Sequence, residues 1–259
     1  MTVLRNDKAP RWSEREASSD LFVGGISPLW MLDYQLQGLF SVVELARVRA
    51  AAEPRLYGDV LRRAAEVALV GAVGFFEAFC KHQFAALLTL YPALLAQFAS
   101  RRIEASLRLL TLASAPGELD KTLGFLIAEA HDFGSAKLVN GLFRDLLDVT
   151  PFSKEEGGEL DAILRKRHLI VHHGGILTSA AAAKEGAVLP SGEAFRDVVG
   201  VEADEYHDVG EFLLLLAVKA AVTTVQGLKR HSHDLADLAP DRRAAVELLL
   251  RAVWDAVEA

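Results

Sequence analysis

The chain has little of several things that commonly define a protein. There is one cysteine, Cys80, in 259 residues, so no disulfide forms within one copy of the chain. Cys80 sits in an apolar stretch, where a small buried hydrophobe is the ordinary role. Prolines number 8 and aromatics reach only 8%, while alanine and leucine dominate, which favours helix over sheet. No apolar run reaches the ~20 uninterrupted residues of a membrane span: Val67–Cys80 is short and contains Glu77, and Glu211–Leu228 contains Lys219. No membrane partner is therefore expected. An excess of positive charge is also missing. The net charge is -7, so nucleic acid could be held only at a local basic patch. No glycine-rich phosphate loop precedes a helix, which argues against an NTPase. The first twenty residues are polar and charged with no apolar signal core, so a cytoplasmic location is expected.

What is present is enough apolar material for a core: 51% of residues are hydrophobic and 24% charged, which excludes disorder over most of the length. The expected fold is all-α, an up-and-down helical bundle with an N-terminal helical extension and a loop-rich connector before the last core helix. Residues 1–27 read as a tail, 28–55 as the helical extension, 56–238 as the bundle, and 239–259 as a C-terminal helix packed on it. Within that scheme Pro28 opens a helix to about Ala52, and Pro54 interrupts it. A long helix from about Leu56 to Tyr91 follows, apolar nearly all round from Val67 to Phe79 and so central to the core. Pro92 restarts or kinks it.

A further helix is expected over Arg101–Leu112, ended by Ala115-Pro116-Gly117. One or two shorter helices are expected between Leu119 and Leu147. Ser153-Lys154-Glu155-Glu156 has the pattern of a capping box, and Gly174-Gly175 that of a helix stop. Residues 176–204 read as a connector with short extended pieces at Ala187–Leu189 and Val198–Val201. Helix resumes from about Asp204 to His233, and Pro240 opens a last helix to about Glu258.

The helix Lys154–His173 carries the chemistry. With Leu160 at zero on a helical wheel and about 100° per residue, Leu160, Ile163, Leu164, Ile170 and Val171 share one apolar stripe. Arg167 falls in its middle. His168 and His172 lie side by side at its edge, with Arg165 next to His172, while Lys166 and His173 point the other way. A guanidinium on an apolar face needs a partner. One candidate is a structural ion pair with Glu77. The other is an anion: Arg167 holding a phosphate beside a titratable His172.

Arg167-His168-Leu169-Ile170-Val171-His172-His173-Gly174-Gly175 resembles the Arg-x4-6-His signature of the HEPN superfamily (higher eukaryotes and prokaryotes nucleotide-binding). The context agrees: an amphipathic helix before it, aliphatic residues between the Arg and the His, a glycine stop, an irregular connector, then a long apolar helix. The resemblance covers about residues 60–230 in organisation and about ten residues in specific letters. It implies a helical bundle that homodimerises across a shared cleft. It further implies a metal-independent endoribonuclease, of the kind found among toxins and phage-defence effectors, with RNA as partner and an antitoxin or regulatory protein as a second one.

By the same resemblance, His172 exchanges protons with the 2′-hydroxyl and the leaving oxygen, and Arg167 stabilises the phosphate in flight. The products are then a 2′,3′-cyclic phosphate and a 5′-hydroxyl. His168 stands where an asparagine is commoner and would position the phosphate or orient His172. Arg165 satisfies the longest allowed spacing to His172, and Glu77 and His173 are supporting residues. No cofactor is implied. The alternative is a non-catalytic module of the same family that binds RNA, a nucleotide or a partner protein.

Other uses of these residues are weaker. His168 and His172 are spaced as a zinc pair, but no nearby carboxylate or cysteine completes a ligand set. His82 and His131 read as structural, and His231-Ser232-His233-Asp234 as a solvated cluster at a helix end.

Overall fold

A computed structural model describes residues 27–101, 119–178, 199–231 and 240–249. These residues form eight helices with no strand among them: α1 (Pro28–Ala52), α2 (Pro54–Leu90), α3 (Leu94–Arg101), α4 (Leu119–Glu129), α5 (Ala136–Leu147), α6 (Lys154–His173), α7 (Ala203–His231) and α8 (Pro240–Leu248). The protein is all-α, as its composition suggests. No described helix is long and apolar enough to cross a membrane. Beyond Arg101, the helix expected over Arg101–Leu112 lies outside the described residues, as does the extended piece at Ala187–Leu189. Residues 199–201 are described and contain no strand.

The helix ends follow local chemistry. Ser27 caps α1, accepting from the Trp30 amide at 3.3 Å, and Pro28 occupies the first turn where its missing N–H costs nothing. Glu53 separates α1 from α2 because Pro54 cannot donate back into the preceding helix. Ser135 caps α5 in the same way as Ser27 caps α1. The expected capping box at α6 is formed: the Glu156 amide donates to Ser153 Oγ at 3.2 Å, and the Ser153 amide donates to Glu156 Oε2 at 2.7 Å. Such an arrangement contributes about 1 kcal/mol.

α2 is the axis of the fold. It packs along α1, α4 and α7, and meets α6 and α8. Its buried face runs from Ala65 to Leu90 and includes Phe76, Phe79 and Phe84. Phe84 meets Phe98 edge-on at 5.3 Å, with Phe133 and Phe143 at 5.8 and 5.9 Å, a geometry that places ring edges on ring faces. α1 is part of the same core, burying Leu29, Leu32, Leu36 and Val43. Val67, in the apolar run expected to be central, instead faces solvent.

A few polar contacts tie the interior together. Gln83 donates to Thr224 Oγ1 at 2.9 Å, joining α2 to α7. Arg242 of α8 donates to the carbonyls of Thr89 and Leu90, which end α2 without an intrahelical partner. Asp148 ends α5 in the left-handed region, with φ 57°. Arg101 grips its carboxylate with both terminal nitrogens, at 2.6 and 3.1 Å, and also donates to the Arg144 carbonyl.

Charged clasps place α6 and α7. Lys166 of α6 pairs with Glu205 of α7, Arg47 of α1 with Asp204 at 2.7 Å, and Lys219 with Glu156 at 2.6 Å. Lys219, the charge inside an otherwise apolar segment, therefore meets the capping-box glutamate on the solvent side. Asn140 completes the frame by bonding both the amide and the carbonyl of Phe152, at 3.0 and 2.9 Å, just ahead of α6.

Candidate functional site

The motif occupies the last two turns of α6 and the turn beyond it. Leu160, Ile163 and Leu169 are buried, and Leu164 and Ile170 pack partly against the core. This is the expected stripe with two corrections: Val171 is 45% exposed, and Leu169, outside the expected stripe, is buried. Val171 stays in solvent together with Ile176.

The helix ends where the two glycines stand. Gly174 has φ 61° and Gly175 φ 82°, values that an L side chain resists. Their amides both return to the Leu169 carbonyl, and Ile176 donates to His173 at 3.0 Å. Val199 then donates to the Gly175 carbonyl at 2.6 Å, so the far end of the connector comes back to this turn. The last turn of α6 is thereby fixed from both sides.

On this end His168, His172 and His173 are all exposed. The His168 and His172 rings lie 4.6 Å apart, the expected neighbour pair. His173 was assigned to the other side of the wheel, yet its ring comes within 5.6 Å of His168. Three imidazoles therefore form one patch, at the helix end whose partial negative charge favours cations. Lys166 does point away, toward α7.

Arg167 is partly buried and takes part in none of the direct ion pairs that tie the helices together. Its Nε is out of solvent with no hydrogen-bond partner among the described residues, and Arg165 Nε is in the same condition. Glu77 of α2 is close enough to feel Arg167 electrostatically. Burial pushes the Glu77 carboxyl above its ordinary range, Arg167 pulls it down, Asp132 pushes it up and Lys81 pulls it down. The structural ion pair considered from the sequence is thus an electrostatic neighbourhood and not a direct contact. Asp132 went unnoticed in the sequence. It lies in the turn between α4 and α5, and its only local sign is the Asp132-Phe133-Gly134 pattern, in which Asp132 Oδ1 accepts from the Gly134 amide at 2.8 Å.

The remaining histidines sit among rings. His82 tilts against Phe125 at 5.6 Å, with burial first and Lys81 second lowering its pKa. His131 meets Phe98 edge-on at 5.4 Å and Phe84 at 6.3 Å. Both are built into the aromatic core, as their setting in the sequence suggests. No group of three or more metal-binding side chains gathers among the described residues. The cluster expected at His231–Asp234 lies outside the described side chains.

Three solvent-facing imidazoles share the end of the helix that also carries Arg167, residue types suited to an anion whose reaction moves protons. No protein-family model matches the chain, and no curated protein or solved structure matches it significantly.

Proposed function

We propose that the chain is an endoribonuclease of HEPN type, cleaving RNA at the end of α6 without a metal ion. The observation that carries this reading is the pairing of Arg167, a partly buried guanidinium without a direct ion-pair partner, with the exposed His172 one turn and a half along the same helix. A phosphodiester supplies the partner that Arg167 lacks. The His172 imidazole takes the 2′-hydroxyl proton while O2′ attacks phosphorus, and the bond from phosphorus to O5′ breaks. The leaving oxygen gains a proton from a protonated imidazole of the same patch, for which His168 is the nearest candidate. Arg167 balances the charge gathering on the phosphoryl oxygens. In this reading the protein works as a homodimer with two such patches on a shared cleft. It serves as a toxin or defence effector in the cytoplasm and is restrained by an antitoxin or regulatory protein.

The test is cleavage of total RNA by purified protein in EDTA, with Arg167→Ala and His172→Ala alongside. Cleavage by the wild type, lost by about 100-fold or more in each variant, with 2′,3′-cyclic phosphate ends, is the expected result. Three well-folded proteins that all leave RNA intact would refute catalysis. A second reading, a non-catalytic module binding RNA, a nucleotide or a partner protein, draws on the net charge of -7 and on the carboxylates near Arg167. It predicts RNA retention without cleavage.

A further inference from the structure

Among the described residues, one apolar face of the molecule carries no cover. Between Tyr34 and Val48 of α1 every exposed residue is uncharged, Gln37, Gly38, Ser41, Val42 and Leu45 completing the set. The outer side of a surface helix ordinarily carries charge, and this stretch runs for about 20 Å without any. α2 adds Leu56, Val60 and Val67. Leu39 of α1 lies against Gly71 of α2, where an added Cβ would come 3.1 Å from its side chain. Both helices turn their other faces into one core, so the two stripes open on the same side. The seven large apolar side chains of this face are 46 to 68% exposed. Together they leave about 700 Å² open, above the ~300–600 Å² of a monomer's largest apolar patch and near the ~800 Å² per partner of a stable interface.

We infer that this face seats a second copy of the chain, the two α1 helices packing antiparallel about a two-fold axis beside Ser41. The stripe is complementary to itself. A Cβ on Gly38 would meet nothing within 4 Å, so Gly38 is an open notch, and Leu45, two turns on, is an exposed knob. In an antiparallel pair centred beside Ser41, Leu45 of each copy falls on Gly38 of the other, and Tyr34 falls beside Val48. Both matches share that midpoint, where the small Ser41 lets the backbones approach. The missing charge points the same way. A two-fold axis sets a patch against its own copy, so a charged stripe would repel itself and this one does not. A different protein would require no such match between notch and knob within one helix. Where the ribonuclease reading calls for a homodimer, this pairing says which surface joins the copies, and it holds whether or not the chain cleaves RNA.

Sedimentation of the full chain over a range of concentrations provides the test, with the wild type expected to be a dimer. Gly38→Leu fills the notch without disturbing the fold, because leucine is the better helix former and the site is open. Its circular dichroism keeps the helical signal while its dimer dissociates about 100-fold more readily. Adding Leu45→Ala to Gly38→Leu exchanges knob and notch and recovers about tenfold or more of the lost affinity, a rescue that a misfolded variant would not show. Ser41→Cys sets a thiol beside the axis, where its own copy stands within the roughly 4–7 Å between Cα atoms that a disulfide spans. Oxidised glutathione then links the two chains, whereas Gly58→Cys, at the far end of the face, stays unlinked. Cys80 is fully buried and takes no part. A wild type that stays monomeric at about 100 μM overturns the proposal and leaves the face to a different partner. A dimer indifferent to Gly38→Leu, or one that Ser41→Cys does not link, overturns it as well.

Discussion

Two helical glycines respond to the same substitution with opposite signs. Alanine is a better helix former than glycine by about 1 kcal/mol, so helix propensity alone makes Gly58→Ala and Gly124→Ala both stabilising. At Gly58, near the start of α2, a Cβ meets nothing within 4 Å, and the full gain of roughly 0.5–1 kcal/mol is expected. At Gly124 of α4 the added Cβ would lie 2.2 Å from the Ala85 carbonyl oxygen and 2.6 Å from Thr89 Oγ1. Backbone cannot rotate out of the way. α4 has to retreat from α2 by more than an ångström, opening the apolar seam where Ile127 and Ala128 are buried. Overpacking of this kind costs about 3 kcal/mol, leaving a net loss of about 2 kcal/mol after the propensity gain. With a urea slope of about 2 kcal/mol/M the midpoint falls by about 1 M. Urea unfolding of the two variants beside wild type measures both signs at once. A Gly124→Ala midpoint at or above that of wild type would refute the contact between α2 and α4 as described.

Two further predictions concern titration and thiol access. Lys219, by its hydrogen bond, is the main reason the Glu156 carboxyl lies below its ordinary value of 4.5, with the Ser153 amide adding to it. A depressed carboxylate stabilises the fold above its unfolded pKa and loses that stability as pH falls through the folded one. Glu156→Gln should therefore be less stable than wild type at neutral pH, and the gap should close on acidification below about pH 4.5; a gap that persists or widens in acid unfolding contradicts the pairing. Cys80 is fully buried, and burial drives its thiol far above the ordinary range, so an aromatic disulfide reagent should label it only at the rate of unfolding. Prompt stoichiometric labelling of the native chain would show the α2 core to be open.

The sequence was most informative where the determinant is local. The bounds of α6 follow from Ser153 and Glu156 at one end and Gly174-Gly175 at the other, because capping and left-handed closure involve residues within a few positions. The same holds for α1, set by Ser27-Pro28 and Pro54. What depends on neighbours distant in the chain was not legible. The wheel places Val171 in the stripe because it knows only the angle around one helix, whereas its 45% exposure is set by tertiary packing. The partner of Lys219, Glu156, was likewise out of reach of any local pattern, since it lies 63 positions away. For the candidate site, periodicity located Arg167, His168 and His172. The convergence of Asp132 with Glu77 over Gly134 needed the packing of α2 against the turn that follows α4.

The clasps at the first turn of α7 carry a consequence for how the chain responds to its medium. Asp204 and Glu205 are gripped by Arg47 and Lys166, and all four side chains remain at least partly exposed. Dissolved ions weaken such contacts, while the oily seam between α2 and α7 is barely touched by them. Raising the electrolyte concentration should thus loosen the junction where the returning connector meets α7, well before the interior yields. Because Lys166 stands next to Arg167, that loosening reaches the arginine on which the proposed chemistry depends.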